Sequence, residues 1–311
     1  MADATLGPAP FWVGAAAEVI RRLPAGRYRA MNFLSRRATR PFWATLPKDL
    51  GRLRFRCDLR DALMREACFT GRYEPQETAI LQRILRAGMT FVDVGANWGY
   101  FTLVGGYLVG PTGRVVCIEA DPRACRTVRS NLAENHLDAV ALVNVAAADT
   151  PGTISVREYD VAAGETGNFG VGQAVTGGGR RLDIAARPLD DVLDDSGVEH
   201  VDLLKMDIEG SEARALAGLD RRLAARHVDR ILLEIHPHFL RELGSSAEHV
   251  IALLRTRGYQ GWRIDHSPEA HRRTVSAHVN VSSILVPLED GVPLGIWPHV
   301  LWIRSGLSPT I

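Results

Sequence analysis

The sequence predicts an α/β protein in which a mostly parallel sheet carries helices on both faces, and three observations predict it. Short apolar runs at 91–95, 114–119, 140–147, 203–208 and 230–235 alternate with helical patterns, as strands covered on both faces require. The first run leads into a glycine turn, Gly95-Ala-Asn-Trp-Gly99. The second ends on Glu119, twenty residues beyond Gly99, where a nucleotide-binding α/β unit places an acid for ribose hydroxyls.

In chain order, a helical segment starts near Phe11, a short strand runs from Leu53 to Asp58, and a helix from Asp61 to Phe69 ends at Gly71. Residues 1–70 read as an N-terminal extension, a helical cap. A helix from Pro75 to Ala87 buries Ile80, Leu81, Ile84 and Leu85 and stops at Gly88. Helices over Tyr100–Leu108 and Pro122–Asn135 separate the first three strands, and the third is closed by Pro151-Gly152. Pro122 fits a helix start, where its missing N–H is harmless. Seven of the sixteen residues from Gly164 to Gly179 are glycine, which marks a loop within a glycine-rich insertion over 157–187.

Strand Leu203–Ile208, a helix over Ser211–Ala225, strand 230–235 and a helix over Ser246–Arg257 follow. Two closing strands near Tyr259–Ile264 and Val279–Val286 show no helix between them and are expected to pair antiparallel. The main domain is expected over 71–290, with 291–311 a C-terminal tail.

Composition points to a small-molecule partner. Across 311 residues, 37 basic and 36 acidic side chains leave a net charge of +1, which gives no ground for nucleic acid. Cys57, Cys68, Cys117 and Cys125 lack metal-ligand spacing, so a reduced, cytoplasmic protein is expected. The apolar stretch Phe11–Ile20 lacks a basic flank and contains Glu18, unlike a secretory signal, and no run has the length of a membrane span. From Arg21 to Arg56, however, eleven Lys or Arg residues face one acid, Asp49, with Phe33, Phe42 and Trp43 interleaved. The plain reading is a packed cap whose arginine stems cover apolar surface. The sharper one is a peripheral contact with an anionic membrane, a phosphorylated substrate or a partner protein.

The glycine turn carries the first chemical expectation. Gly95 and Gly99 admit a ligand close to the backbone, and the next helix offers free N–H groups. A dinucleotide site would show Gly-x-Gly-x-x-Gly, whereas Asn97 occupies the middle position here. S-adenosyl-L-methionine, which has no phosphate, suits Asp93 near its ammonium tail and Glu119 on its ribose diol. A nicotinamide-dependent oxidoreductase and a non-catalytic binding protein on the same fold are the alternatives.

Several segments together resemble the FkbM-type methyltransferases, a family of class I S-adenosylmethionine-dependent enzymes. They are Gly71-Arg-Tyr-Glu-Pro-Gln-Glu-Thr, Gly88-Met-Thr-Phe-Val-Asp-Val-Gly-Ala-Asn-Trp-Gly-Tyr-Phe-Thr, Gly113-Arg-Val-Val-Cys-Ile-Glu-Ala-Asp-Pro, Asn131-Leu-Ala-Glu-Asn, Leu189-Asp-Asp-Val and Leu204-Lys-Met-Asp-Ile-Glu-Gly-Ser-Glu. They run in the family's order over residues 71–236. The resemblance implies a Rossmann-like, seven-stranded sheet with its last strand antiparallel, and O-methylation of a hydroxyl on a sugar, a glycolipid or a polyketide-type natural product. It also implies that Tyr73 and Glu74 approach the cofactor from outside the sheet, beside Gly95, Ala96, Asn97 and Gly99 of the turn, and that residues 147–149, around Ala148, edge the adenine. Ala120 replaces the proline often found after the acid.

Methyl transfer to an aliphatic alcohol needs alignment and a proton acceptor. Asp207, at the carboxyl end of the fourth strand, is the first candidate base, and His236 after the fifth is the second, since imidazole titrates near neutrality. Glu212 reads as a helix-start acid and His238 as a surface residue. Asp207, Glu234 and His236 have ligand types suited to magnesium or manganese, but no metal is expected. The glycine-rich loop and the N-terminal extension are expected to shape the acceptor pocket.

Overall fold

The computed structural model describes residues 6–23, 26–37, 40–157, 181–275, 281–289 and 294–308, and the glycine-rich stretch 164–179 lies outside them. The N-terminal segment contributes α1 (Phe11–Arg22), α2 (Arg27–Ser35) and α3 (Ala62–Thr70). Between α2 and α3 lie two strands, β1 (Phe42–Thr45) and β2 (Arg54–Cys57), which pair antiparallel, with a 3-10 turn at Lys48–Leu50 between them. Asp61 caps α3 by accepting from the Leu63 and Met64 N–H groups, both at 2.9 Å. The hairpin docks through side-chain amides, since Asn131 on α6 (Pro122–Glu134) and Asn135, its C-cap, accept from the Arg56 and Arg54 N–H groups.

Then the α/β alternation begins, with α4 (Pro75–Ile84), β3 (Thr90–Val94), α5 (Tyr100–Val109), β4 (Arg114–Ile118) and, after α6, β5 (Ala141–Val143). Helix α4 ends a turn before Gly88 because Leu85 leaves it in extended conformation to remain buried. The run 140–147 is not one strand. Asn144 donates to the Glu119 and Ala120 carbonyls and turns the chain, so that β6 (Ala146–Ala147) joins a second sheet with β7 (Gly152–Arg157) and β8 (Arg181–Arg187).

After α7 (Leu189–Asp195) and β9 (Leu203–Met206), the helix expected over 211–225 is two, α8 (Glu212–Ala217) and α9 (Asp220–Ala224). The break falls at Gly218, whose backbone packs so closely on Ala148 that a Cβ would lie 2.0 Å from that carbonyl oxygen. There follow β10 (Arg230–Glu234), α10 (Pro237–Glu242), α11 (Ala247–Thr256), β11 (Tyr259–Ile264), α12 (Pro268–Val275), β12 (Leu285–Pro287) and β13 (His299–Arg304).

Two expectations for the C-terminal part change. Strands β11 and β12 do pair antiparallel, but α12 lies between them in sequence. Within the stretch expected as a C-terminal tail, β13 fills the gap between β10 and β11, antiparallel to both, with Val300, Leu301, Trp302 and Ile303 buried. The main sheet runs β12-β11-β13-β10-β9-β3-β4-β5. Apart from the short edge strand β12, it is the expected seven-stranded sheet with the last strand antiparallel. Alternation along β3 sends Phe91 into one apolar layer and Val92 into the other, so both faces are covered.

Candidate active site

The carboxyl ends of β3, β4 and β9 meet at a cavity of about 300 Å³. Its floor depends on Gly95, at φ 81°, where a Cβ would lie 1.9 Å from the Asp207 carbonyl oxygen. Only glycine accepts both that approach and that backbone. Asn97 takes a left-handed conformation, φ 53°, and its N–H donates to Glu119 Oε2 at 2.6 Å, while the Asp121 N–H donates to Oε1 at 2.7 Å. Glu119 thereby joins the turn after β3 to the one after β4. Burial pushes its carboxyl up to about 7, against the pull of those two N–H bonds.

Tyr73, Gly95, Ala96, Asn97, Glu119, Ala120 and Asp207 all line the cavity. Asp93 does not: it is buried below, accepts from Thr102 Oγ1 at 2.6 Å, and leaves Oδ1 without a partner. Gly99 starts α5 rather than facing the cavity, and the wall near residue 148 is made by Val145, Ala146 and Ala147 instead of Ala148. Glu74 also stands outside the lining. It holds φ 42° directly before Pro75, burial raises its carboxyl to about 8, and Oε2 has no partner.

Sequence reasoning missed Lys205. It lies in the buried strand β9 opposite Asp93, 4.5 Å over the Phe101 ring, with Nζ 3.5 Å from Asp207 Oδ2. Burial opposes its charge, but Asp207, Glu74, Asp93 and Glu234 outweigh that and raise its pKa. A lysine inside Leu203-Leu-Lys-Met206 was the available signal, since a lone charge in an apolar strand must have partners. Arg56, Asp58, Asp61 and Met64 bring the N-terminal segment into the cavity wall.

Behind Asp207 runs a chain of acids and imidazoles. His236 Nδ1 is 2.7 Å from Glu212 Oε1, which also accepts from the Gly210 N–H, and its Nε2 is 3.4 Å from Glu234 and 3.9 Å from Asp207. Burial disfavours the imidazolium, yet the bonds to Glu212 and Glu234 win and hold its pKa at about 10. At neutral pH His236 is therefore a cation. Burial and the Glu234 charge raise the Asp207 carboxyl, with Lys205 and His236 pulling the other way. The antiparallel register places His299 opposite Glu234, with Nε2 3.4 Å from its carboxylate.

A parallel sheet with one antiparallel strand set beside its fifth parallel member, a glycine turn after the first and an acid after the second define the class I methyltransferase architecture. Within that class the family profile described as the methyltransferase FkbM domain matches residues 93–260 of 311, and the chain belongs to this family. S-adenosyl-L-methionine is the cofactor of the class.

Over 120 residues the chain is 30% identical to the 2-O-methyltransferase NoeI of Sinorhizobium fredii, covering 35% of this chain and 48% of that protein. Over 200 residues it is 27% identical to the 31-O-demethyl-FK506 methyltransferase FkbM of Streptomyces tacrolimicus, covering 56% and 74%. Over 211 residues it is 29% identical to the AMB antimetabolite synthetase AmbE of Pseudomonas aeruginosa, covering 57% and 10%. The chain thus spans about half the length of NoeI and a tenth of the synthetase. Among solved structures, a putative rRNA-methylase from Clostridium thermocellum is 14% identical at a TM-score of 0.42, covering 74% of this chain and 93% of that one. All four cysteines are free and buried, and among the described residues no helix is long and apolar enough to cross a membrane.

Proposed function

We propose that the protein transfers a methyl group from S-adenosyl-L-methionine to a hydroxyl oxygen of a small-molecule acceptor, in the class of sugars, glycolipids and polyketide-type compounds. The observation that carries this reading is the Asp207 carboxylate, which lines the cavity at the end of β9 with a buried lysine ammonium 3.5 Å away. The residues present fit the donor. Each Glu119 oxygen accepts one backbone N–H and keeps a lone pair for a ribose hydroxyl, and the glycine turn leaves room against the backbone. When bound, the cofactor supplies an electrophilic methyl group on a sulfonium.

Asp207 would take the acceptor's hydroxyl proton as the methyl–sulfur bond breaks and the new C–O bond forms, with S-adenosylhomocysteine leaving, a role helped by the burial that raises its pKa. Lys205 holds that carboxylate in place. His236, cationic at neutral pH, is a positioning residue for Asp207 and Glu234 rather than the base. The similarity to NoeI, a 2-O-methyltransferase, and to FkbM, a 31-O-demethyl-FK506 methyltransferase, supports oxygen as the acceptor atom.

Calorimetry with S-adenosylhomocysteine and with NAD, followed by transfer of labelled methyl to a panel of glycosides and macrolides, tests the reading. Asp207→Asn should keep S-adenosylhomocysteine affinity within about threefold and lose transfer at least a hundredfold. An active Asp207→Asn enzyme, or binding of NAD in place of S-adenosylhomocysteine, would overturn it.

The outward faces of α1 and α2 support a second, peripheral contact. Phe11, Val19, Tyr28 and Phe33 are exposed there beside Arg22, Arg29, Arg36 and Arg37. Apolar side chains among arginines suit an anionic lipid surface. Co-sedimentation with phosphatidylserine-containing vesicles, lost in phosphatidylcholine alone or after Phe11→Ser with Phe33→Ser, is the expected result.

A further inference from the structure

Glu77, in the first turn of α4, is fully buried, and its two oxygens are treated unequally. Oε1 lies 2.8 Å from His266 Nε2 and 3.0 Å from His299 Nδ1, whereas Oε2 has no partner. Three elements distant in sequence supply these groups: α4, the chain just after β11, and the first residue of β13. The two imidazole rings are 4.6 Å apart between centroids.

These are hydrogen-bond distances, and they are also compatible with three ligands around one ion. With metal–ligand bonds of roughly 2.1 Å, donors at right angles stand about 3.0 Å apart. Glu74, Asp93 and Glu212 also leave a buried oxygen bare, but at Glu77 two imidazoles flank the same carboxylate, and a bound ion would take the open oxygen. The far nitrogen of His299 faces Glu234 at 3.4 Å, the outer carboxylate that commonly orients a ligating histidine. His266 is 39% exposed, which opens a path for the ion and room for water ligands.

We propose that Glu77, His266 and His299 form a binding site for a divalent first-row transition ion of the zinc or manganese type. Two imidazoles and one carboxylate favour such ions over magnesium or calcium, which prefer oxygen alone. None of the three lines the methyl-donor cavity, so the ion clips α4, the end of β11 and the head of β13 together without touching the donor. Tyr73, just before α4, does reach the cavity, so the clip fixes one wall of the pocket. A second histidine–acid group, His200 with Asp202 and Asp229, differs in that its acids already have donors, Asp202 from the Thr90 N–H and Asp229 from Arg304.

The proposal stands apart from the methyl-transfer reading, and its test uses neither donor nor acceptor. Chelator-treated full-length protein is titrated with Co²⁺, followed by visible d–d absorption and by elemental analysis after desalting. One equivalent should bind in the wild type, at least tenfold more weakly in His266→Ala and His299→Gln, and with unchanged affinity in His236→Gln. Circular dichroism on each variant confirms folding. Absence of the band in the wild type, its persistence in both His266→Ala and His299→Gln, or its loss in His236→Gln would overturn the assignment.

Discussion

Glu119 answers to two backbone N–H groups on different loops, and in the proposed donor site that sets the response to pH. With its pKa at about 7, the carboxyl is largely protonated at pH 6 and largely ionised at pH 8. Only the ionised form offers acceptors on both oxygens. S-adenosylhomocysteine affinity should therefore rise from pH 6 to pH 8, by up to about tenfold per unit below the pKa. Glu119→Gln should flatten the profile and weaken binding by roughly 1–3 kcal/mol. Calorimetry across that range checks both. Gly95 gives a harsher prediction, because its Cβ position is occupied by the Asp207 backbone, 1.9 Å away. Gly95→Ala should lower the unfolding free energy measured in urea by roughly several kcal/mol and abolish donor binding, since a positive φ alone opposes the new side chain. The glycine turn, Glu119 and Asp207 were legible in the sequence because chemistry and spacing coincide there. Lys205 was not, since period-2 reading treats a single charge in a strand as noise.

At the scale of elements, local pattern served where neighbours in sequence are neighbours in space. Helices α4 to α6 and strands β3, β4, β9 and β10 fall within a few residues of where periodicity puts them. The breaks at Asn144 and Gly218 escaped it, because each is caused by a tertiary contact: amide bonds to the loop after β4, and a backbone approach to Ala148. Strand β13 escaped for the same reason, its partners lying at 230–234 and 259–264. Docking of β2 is similarly long-range and can be measured. Asn131 donates to the Trp98 carbonyl at 2.9 Å and accepts from the Arg56 N–H at 2.7 Å, both across the cavity's edge. Asn131→Ala leaves both partners without their bond and should lower stability by about 2 kcal/mol in urea denaturation.

Across the whole molecule, the buried acid–imidazole chain ties stability to pH. The His236 pKa is raised from 6.5 to about 10 on folding, so its stabilisation is fully present below pH 6.5 and is lost as pH climbs through 10. Denaturation free energies between pH 7 and pH 10 should fall in the wild type and change less in His236→Gln. An equal slope in both would assign the effect elsewhere. The chain's farther end shows the limit of sequence reading. Glu77 and His266 are 189 residues apart, and no spacing motif covers such an interval.

Strand β13 also dictates the order of assembly during synthesis. A nascent chain that has emerged only as far as β11 has two strands, β10 and β11, whose facing edges have nothing to hydrogen-bond. The gap closes from the last described strand, and His299 reaches Glu77 and Glu234 only then. The glycine turn after β3 can form early on the ribosome, whereas the contacts of His299 with Glu77 and Glu234 are made only after β13 is released. A stalled translation product would carry the glycine turn and an unfinished acid–imidazole cluster.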